Sequence, residues 1–174
     1  GINVVPISVN VSRVHLYDIN FVDAFTQLID SYNISHELIE LELTESIFLD
    51  NTEVALSTMK KFRNCGFIVS IDDFGAGCSS LNRLKDMTSD VLKLDKEFFG
   101  RGELQKEEEI IVSSIVNMAK QLNMKVLSEG VETVAQSKFL KEIACDMAQG
   151  YLFAKPMPKE SFELIMANKL QFNV

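Results

Sequence analysis

The sequence predicts an α/β fold built on a parallel sheet, and three features carry that prediction. Short β-branched runs alternate with amphipathic stretches along the chain, a beat that implies parallel strands joined by right-handed crossovers. The strand candidates are mostly apolar throughout, as strands covered on both faces are. Polar and acidic residues recur where these runs end, which is the side on which open or barrel-shaped α/β folds bind ligands.

Residues 4–11 (VVPISVNV) alternate and branch like a strand, with Asn10 near the carboxyl end and no leader before it, so the chain is expected to begin inside a fold. Residues 21–32 place Phe21, Ala24, Phe25, Leu28 and Ile29 at helical spacing. Residues 38–43 read as the next strand, with Glu40, Glu42 and Glu45 around its end. Residues 51–64 read as a helix stopped by Cys65-Gly66. The run 67–71 (FIVSI) is a buried strand that delivers Asp72 and Asp73 into the loop DDFGAGCSSL. There Gly75 and Gly77 allow backbone conformations closed to other residues, and Ser79 and Ser80 cap a short helix from about Leu81.

Residues 90–95 (DVLKLD) form a short strand with Lys93 among apolar neighbours, and a polar stretch over 100–106 precedes a long amphipathic helix over 107–122. Residues 125–128 are a strand that delivers Glu129. Gly130 and Thr133 then open a helix running to about Ile143. A strand at 147–149 ends in Gln149 and leads through Gly150 to a closing helix over 160–169. About six strands result, whereas a complete eight-stranded barrel takes about 250 residues. The chain is therefore a smaller open sheet or a barrel lacking its first strands, and the abrupt start favours the barrel.

Composition fits one globular domain over residues 1–174, with 47% hydrophobic and 24% charged residues. A net charge of −8 without a dense Lys/Arg stripe argues against grip on a DNA or RNA duplex, so any phosphate handled here is expected to arrive with a metal. Cys65, Cys78 and Cys145 are odd in number and lack zinc-site spacing, which fits free thiols in a reducing compartment. The sequence shows no signal peptide and no membrane-length apolar run, so the expected location is cytoplasmic.

Asn10, Glu42, Asp72, Asp73, Lys93, Glu129 and Gln149 fall at the ends of the predicted strands. In a parallel barrel these ends share one mouth, and hard oxygen donors crowded there suit magnesium, manganese or calcium. A carboxylate shared between two ions suits the two-metal arrangement used on phosphate esters, with Lys93 adding fixed positive charge. Singly, each residue has a plainer explanation. Paired aspartates form turns, Glu129 and Glu132 complement a helix dipole, and Lys93 keeps a buried stem under a solvated head.

The set VNVS, LELTES, DDFGAGCSSL, VLKLD, SEGVET and QGYLFAKPMP, in order over essentially the whole chain, resembles the EAL family of cyclic di-GMP phosphodiesterases. The resemblance implies a TIM-barrel-like α/β fold of the EAL type, incomplete here and lacking its first strands. It implies magnesium- or manganese-dependent hydrolysis of cyclic di-GMP to linear pGpG in bacterial second-messenger signalling, often under GGDEF or sensory domains of the same polypeptide. By the resemblance, Asn10, Glu42, Asp72, Asp73 and Glu129 match metal ligands, with Asp72 bridging two ions. Lys93 matches the lysine beside the attacking water, and Glu45 the glutamate that steadies the loop after Asp73. Asp95, Glu132 and Gln149 match supporting or water-binding positions.

Two departures stand out. The Glu-Ala-Leu segment that names the family, and the arginine that follows it, are absent from the sequence, and Ala76 and Cys78 replace a threonine and an aromatic residue of the loop. The expected fragment is therefore inactive by itself, with one ion weakly held, and its open sheet edges favour a homo-oligomer. A module that binds cyclic di-GMP without cleaving it, or an interaction scaffold, is the alternative. A response-regulator receiver also combines acids, a lysine and parallel strands, but Asp72 and Lys93 lie on consecutive strands, unlike that arrangement.

Overall fold

The structure is a computed structural model that describes residues 4–50, 52–75, 89–99 and 105–168. Six parallel strands form one sheet in chain order: β1 (Ile7–Asn10), β2 (Ile39–Thr44), β3 (Ile68–Phe74), β4 (Val91–Leu94), β5 (Lys125–Ser128) and β6 (Met147–Ala148). Helices α1 (Arg13–Leu16) and α2 (Phe21–Ser31) join β1 to β2, and α3 (Ile47–Asp50) and α4 (Thr52–Asn64) join β2 to β3. Helix α5 (Lys106–Gln121) precedes β5, α6 (Val134–Glu142) precedes β6, and α7 (Lys159–Asn168) follows it. A doubly wound sheet reverses its strand order at a switch point, whereas this one runs β1 to β6 without reversal, as a barrel wall does. The helix expected near Leu81, together with Ala76, Cys78, Ser79 and Ser80, lies outside the described residues.

Sequence periodicity explains how these elements pack. In β2, Leu41 and Leu43 are buried in the hydrophobic core, while Glu40, Glu42 and Thr44 alternate onto the other face. Helix α4 buries Ala55, Thr58, Met59 and Phe62, and α5 buries Val112, Ile115, Val116 and Ala119, each a single stripe at helical spacing. Phe21, Phe25, Phe62 and Phe67 meet with ring centroids 5.5–5.9 Å apart, fastening α2 to α4 and β3. Carboxylates also tie down the amino ends of strands: Asp90 Oδ2 accepts from Val69 N at 3.0 Å, and Asp146 Oδ2 from Val126 N at 2.9 Å.

Most strand limits shift by about a residue, β6 ending at Ala148 so that Gln149 falls just outside it, and two differ by more. The first strand begins only at Ile7, just after Pro6, whose nitrogen has no hydrogen for a ladder. Strand β3 continues past Ile71 to Phe74, so Asp72 and Asp73 belong to the strand rather than to the loop after it. The reason is an irregularity in pairing: Ile71 faces Leu92 but Phe74 faces Leu94, which leaves one extra residue on β3. Among the described residues, no helix is long and apolar enough to cross a membrane.

Candidate active site

The bulge in β3 is what makes two adjacent aspartates useful. Successive side chains of a regular strand point to opposite faces, which would separate Asp72 from Asp73. Here Asp73 takes a left-handed backbone, φ +54°, a conformation that Asp tolerates better than most residues. Both carboxylates consequently reach the same mouth. One oxygen each from Asp72, Asp73 and Glu129 lie within 4.8 Å of one another.

Beside this group stands Lys93, buried at the centre of β4. Its Nζ is 2.7 Å from Asp72 Oδ1, 2.8 Å from Glu42 Oε1 and 2.8 Å from Glu129 Oε1, so one ammonium joins residues from β2, β3 and the end of β5. Burial alone would lower the lysine pKa, but the hydrogen bonds it donates to Asp72, Glu129 and Glu42 raise it above its ordinary value, and it stays charged. Burial raises the Glu129 carboxyl against the pull of Lys93, and the charges of Asp72 and Glu42 add to the rise. Asp73 is exposed overall, yet its carboxyl is also raised, first by desolvation and then by the charges of Asp72 and Asp95. One cation thus faces more carboxylate than it neutralises, and each acid makes its neighbours harder to ionise. Closely set hard oxygens with unbalanced negative charge fit a divalent hard cation.

The surrounding loops are held by named contacts. Glu45, buried after β2, accepts a hydrogen bond from Gly75 N on Oε2 at 3.0 Å, and its own amide donates to Asp72 O at 3.1 Å. Asp95 Oδ1 accepts from Glu97 N at 2.6 Å, capping a 3-10 turn over Lys96–Phe98, and its carboxylate is among the neighbours that raise the Asp73 pKa. Thr133 and Gln136 form a capping box that starts α6, and Gln136 Oε1 also accepts from Glu132 N at 2.8 Å.

The sequence-derived candidates do not all meet. Glu42, Asp72, Asp73, Lys93 and Glu129 come together, with Glu45 and Asp95 bracing the loops around them. Asn10 is exposed at the end of β1, in register with Glu42. The Glu132 and Gln149 side chains are exposed. Their backbones do the fixing there: Gln149 N donates to Ser128 O and Val131 N donates to Gln149 O. Gln149 also borders an open cavity shared with Tyr151, Lys155 and Phe162, in which Lys155 Nζ lies 5.3 Å from the Tyr151 ring centroid. Sequence reasoning passed over Phe98 and Lys96, which press on Gly75 and Gly130. The only trace of them in the sequence is a glycine placed shortly after each group of site carboxylates.

An uninterrupted parallel wall with its acids gathered at the carboxyl ends defines a TIM-barrel-like α/β domain with a candidate metal site. The chain belongs to the EAL domain family, whose model matches residues 2–156. Cyclic di-GMP phosphodiesterase PdeR of Escherichia coli K12 is 39% identical over 163 residues, 94% of this chain and 24% of PdeR. The bifunctional diguanylate cyclase/cyclic di-GMP phosphodiesterase MucR of Pseudomonas aeruginosa is 35% identical over 88% of this chain and 22% of its own length. The solved c-di-GMP complex of the PaMucR phosphodiesterase superposes with a TM-score of 0.82 at 34% identity, covering 90% of this chain and 64% of that one. The chain spans about a quarter of the length of such curated relatives.

Proposed function

We propose that this chain is part of a phosphodiesterase domain that hydrolyses cyclic di-GMP to linear pGpG using two magnesium or manganese ions. The observation that carries the reading is the meeting of Asp72, Asp73 and Glu129 within 4.8 Å beside a lysine already shared by Glu42, Asp72 and Glu129. Relatives named as cyclic di-GMP phosphodiesterases, and a related Klebsiella pneumoniae BlrP1 structure described as a manganese/cy-diGMP complex (26% identity, TM-score 0.80), support the substrate and the class of ion.

In this reading Asn10, Glu42, Asp72, Asp73 and Glu129 would hold the metals, Asp72 being the ligand on which both depend. The ions, when bound, supply an activated water and offset charge on the phosphate being cleaved. Lys93 orients that water and stabilises developing negative charge. Glu45 and Asp95 keep the Asp73 loop in place, and Glu132 and Gln149 take supporting or water-binding positions. The 174-residue chain by itself has little or no activity, since part of the ligand set expected of the family is not in it. The full-length protein acts in the cytoplasm under GGDEF or sensory domains, and the domain associates with itself.

The test is hydrolysis of cyclic di-GMP by the full-length protein with Mg2+ or Mn2+, followed by separation of pGpG. Asp72→Asn abolishes turnover, and Lys93→Ala retains metal but lowers the rate at least about a hundredfold. Binding of the dinucleotide without cleavage under either metal refutes the phosphodiesterase reading and leaves a sensor.

A further inference from the structure

The 3-10 turn Lys96–Phe98 touches both loops that carry the clustered carboxylates. On one side the Phe98 ring lies on Gly75, two residues beyond Asp73, where an added Cβ would overlap Cε2 and Cζ of the ring. On the other side Lys96 lies on Gly130, the residue after Glu129, where an added Cβ would overlap Lys96 Cβ and come within 3.3 Å of its Cα. These glycines have φ of +99° and +65°, so a side chain at either position would be strained on backbone grounds as well.

The turn is itself anchored. Asp95 caps it through Glu97 N, Phe98 N donates to Asp95 O at 3.2 Å, and Asp95 N donates to Phe74 O at 3.4 Å. Phe98 is half-buried against the hydrophobic core, so its ring has little room to retreat.

We infer that the Lys96–Phe98 turn is a strut that sets the separation of the Asp73 and Glu129 carboxylates, with Phe98 as a positioning residue. The loop it stops has reason to move. Asp73 sits in a left-handed bulge beside the like charges of Asp72 and Asp95, and relaxation of that loop carries its carboxylate away from Glu129. The Phe98 ring and the Glu45–Gly75 hydrogen bond oppose that relaxation from two sides. At the other end, contact between Lys96 and Gly130 fixes the backbone just past Glu129.

The inference rests on the proposed metal reading in one arm of its test and not in the other. In the metal-free arm, amide exchange at Gly75 is measured for wild type, Phe98→Ala and Leu140→Ala, the last a core variant in α6 that controls for general loss of stability. Phe98→Ala speeds Gly75 exchange at least about tenfold beyond Leu140→Ala. In the metal arm, free Mn2+ is titrated by electron paramagnetic resonance. Phe98→Ala and Lys96→Gly weaken Mn2+ about tenfold, within the range seen when residues supporting metal ligands are removed. Glu37→Gly, exposed in the 3-10 turn His36–Leu38 at the amino end of β2, controls for added backbone freedom in such a turn and leaves affinity unchanged. If Phe98→Ala fails to fold, Phe98→Leu gives the same two shifts at about threefold. Wild-type exchange at Gly75 in the Phe98 variants overturns the strut, and so does wild-type Mn2+ affinity in Phe98→Ala and Lys96→Gly. A wild-type chain that takes up no Mn2+ overturns the metal reading instead, and the exchange result then decides the strut.

Discussion

Lys93 Nζ lies 2.7 Å from Asp72 Oδ1, an ion pair between neighbouring strands that closes across 21 residues of sequence. Because the same ammonium also reaches Glu42 and Glu129, it is the common partner of acids that would otherwise repel one another. Replacing Lys93 with Met is expected to cost about 3–5 kcal/mol in urea unfolding at neutral pH, since it strands buried charge. Millimolar Mg2+ or Mn2+ should restore part of the loss. The pH dependence has a definite sign: Glu129 and Asp73 have raised pKa values in the fold, so their contribution is complete below the unfolded carboxylate values and is lost as pH rises through the folded ones. The Lys93→Met defect should therefore shrink on acidification, and a defect that grows as pH falls would contradict this account.

His36 gives a second pH dependence, away from the site. Its Nδ1 lies 2.6 Å from Cys65 O and its Nε2 lies 2.9 Å from Asp30 Oδ1, while the ring stacks on Phe67 at 4.4 Å. Both partners are acceptors, so only the imidazolium satisfies both nitrogens. The Cys65 carbonyl is the main cause of the raised pKa, opposed by burial and helped by Asp30. Stability from this pair is complete below the ordinary value of 6.5 and disappears as pH rises through the raised one. The melting-temperature gap between wild type and His36→Gln should thus narrow between about pH 6 and pH 9. A gap that is constant across that range would rule the mechanism out.

Strand β1 supplies a prediction about association. It pairs only with β2 among the described residues, and Ile7 and Val9 are 63% and 38% exposed. An edge with free backbone groups and apolar side chains templates further pairing. The 174-residue chain is expected to self-associate in light scattering, and Ile7→Lys with Val9→Lys should shift it toward monomer. Wild-type chain that stays monomeric at concentrations of about 100 µM would contradict the expectation.

Much of this architecture was legible because local periodicity is a local property. Leu41 and Leu43 alternating with Glu40 and Glu42, or Ala55, Thr58, Met59 and Phe62 on one helical stripe, can be read without knowing what lies opposite. The beat of strand and helix then implied parallel pairing, and parallel pairing puts every strand's carboxyl end at the same side. That is why Glu42, Asp72, Asp73 and Glu129 stood out as a group, although they are spread over 88 positions from Glu42 to Glu129 inclusive.

Tertiary structure decided what depends on a neighbour. The extra β3 residue exists only relative to Leu92 and Leu94 on β4, and it alone turns Asp72 and Asp73 to one mouth where a regular strand would part them. The exposure of Glu132 and Gln149, side chains that the motifs grouped with the site, follows from how the loops after β5 and β6 tie to each other through backbone bonds. Whether Lys93 served one acid or several, and that Phe98 and Lys96 would press on Gly75 and Gly130, depended on distances between elements. The sequence by itself therefore determined the strands, the helices and the side of the sheet where acids collect, because backbone propensity and burial period are written residue by residue. Only the packed fold determined which carboxylate oxygens stand within 4.8 Å of one another, because such distances arise from pairing register and from contacts between segments far apart in the chain.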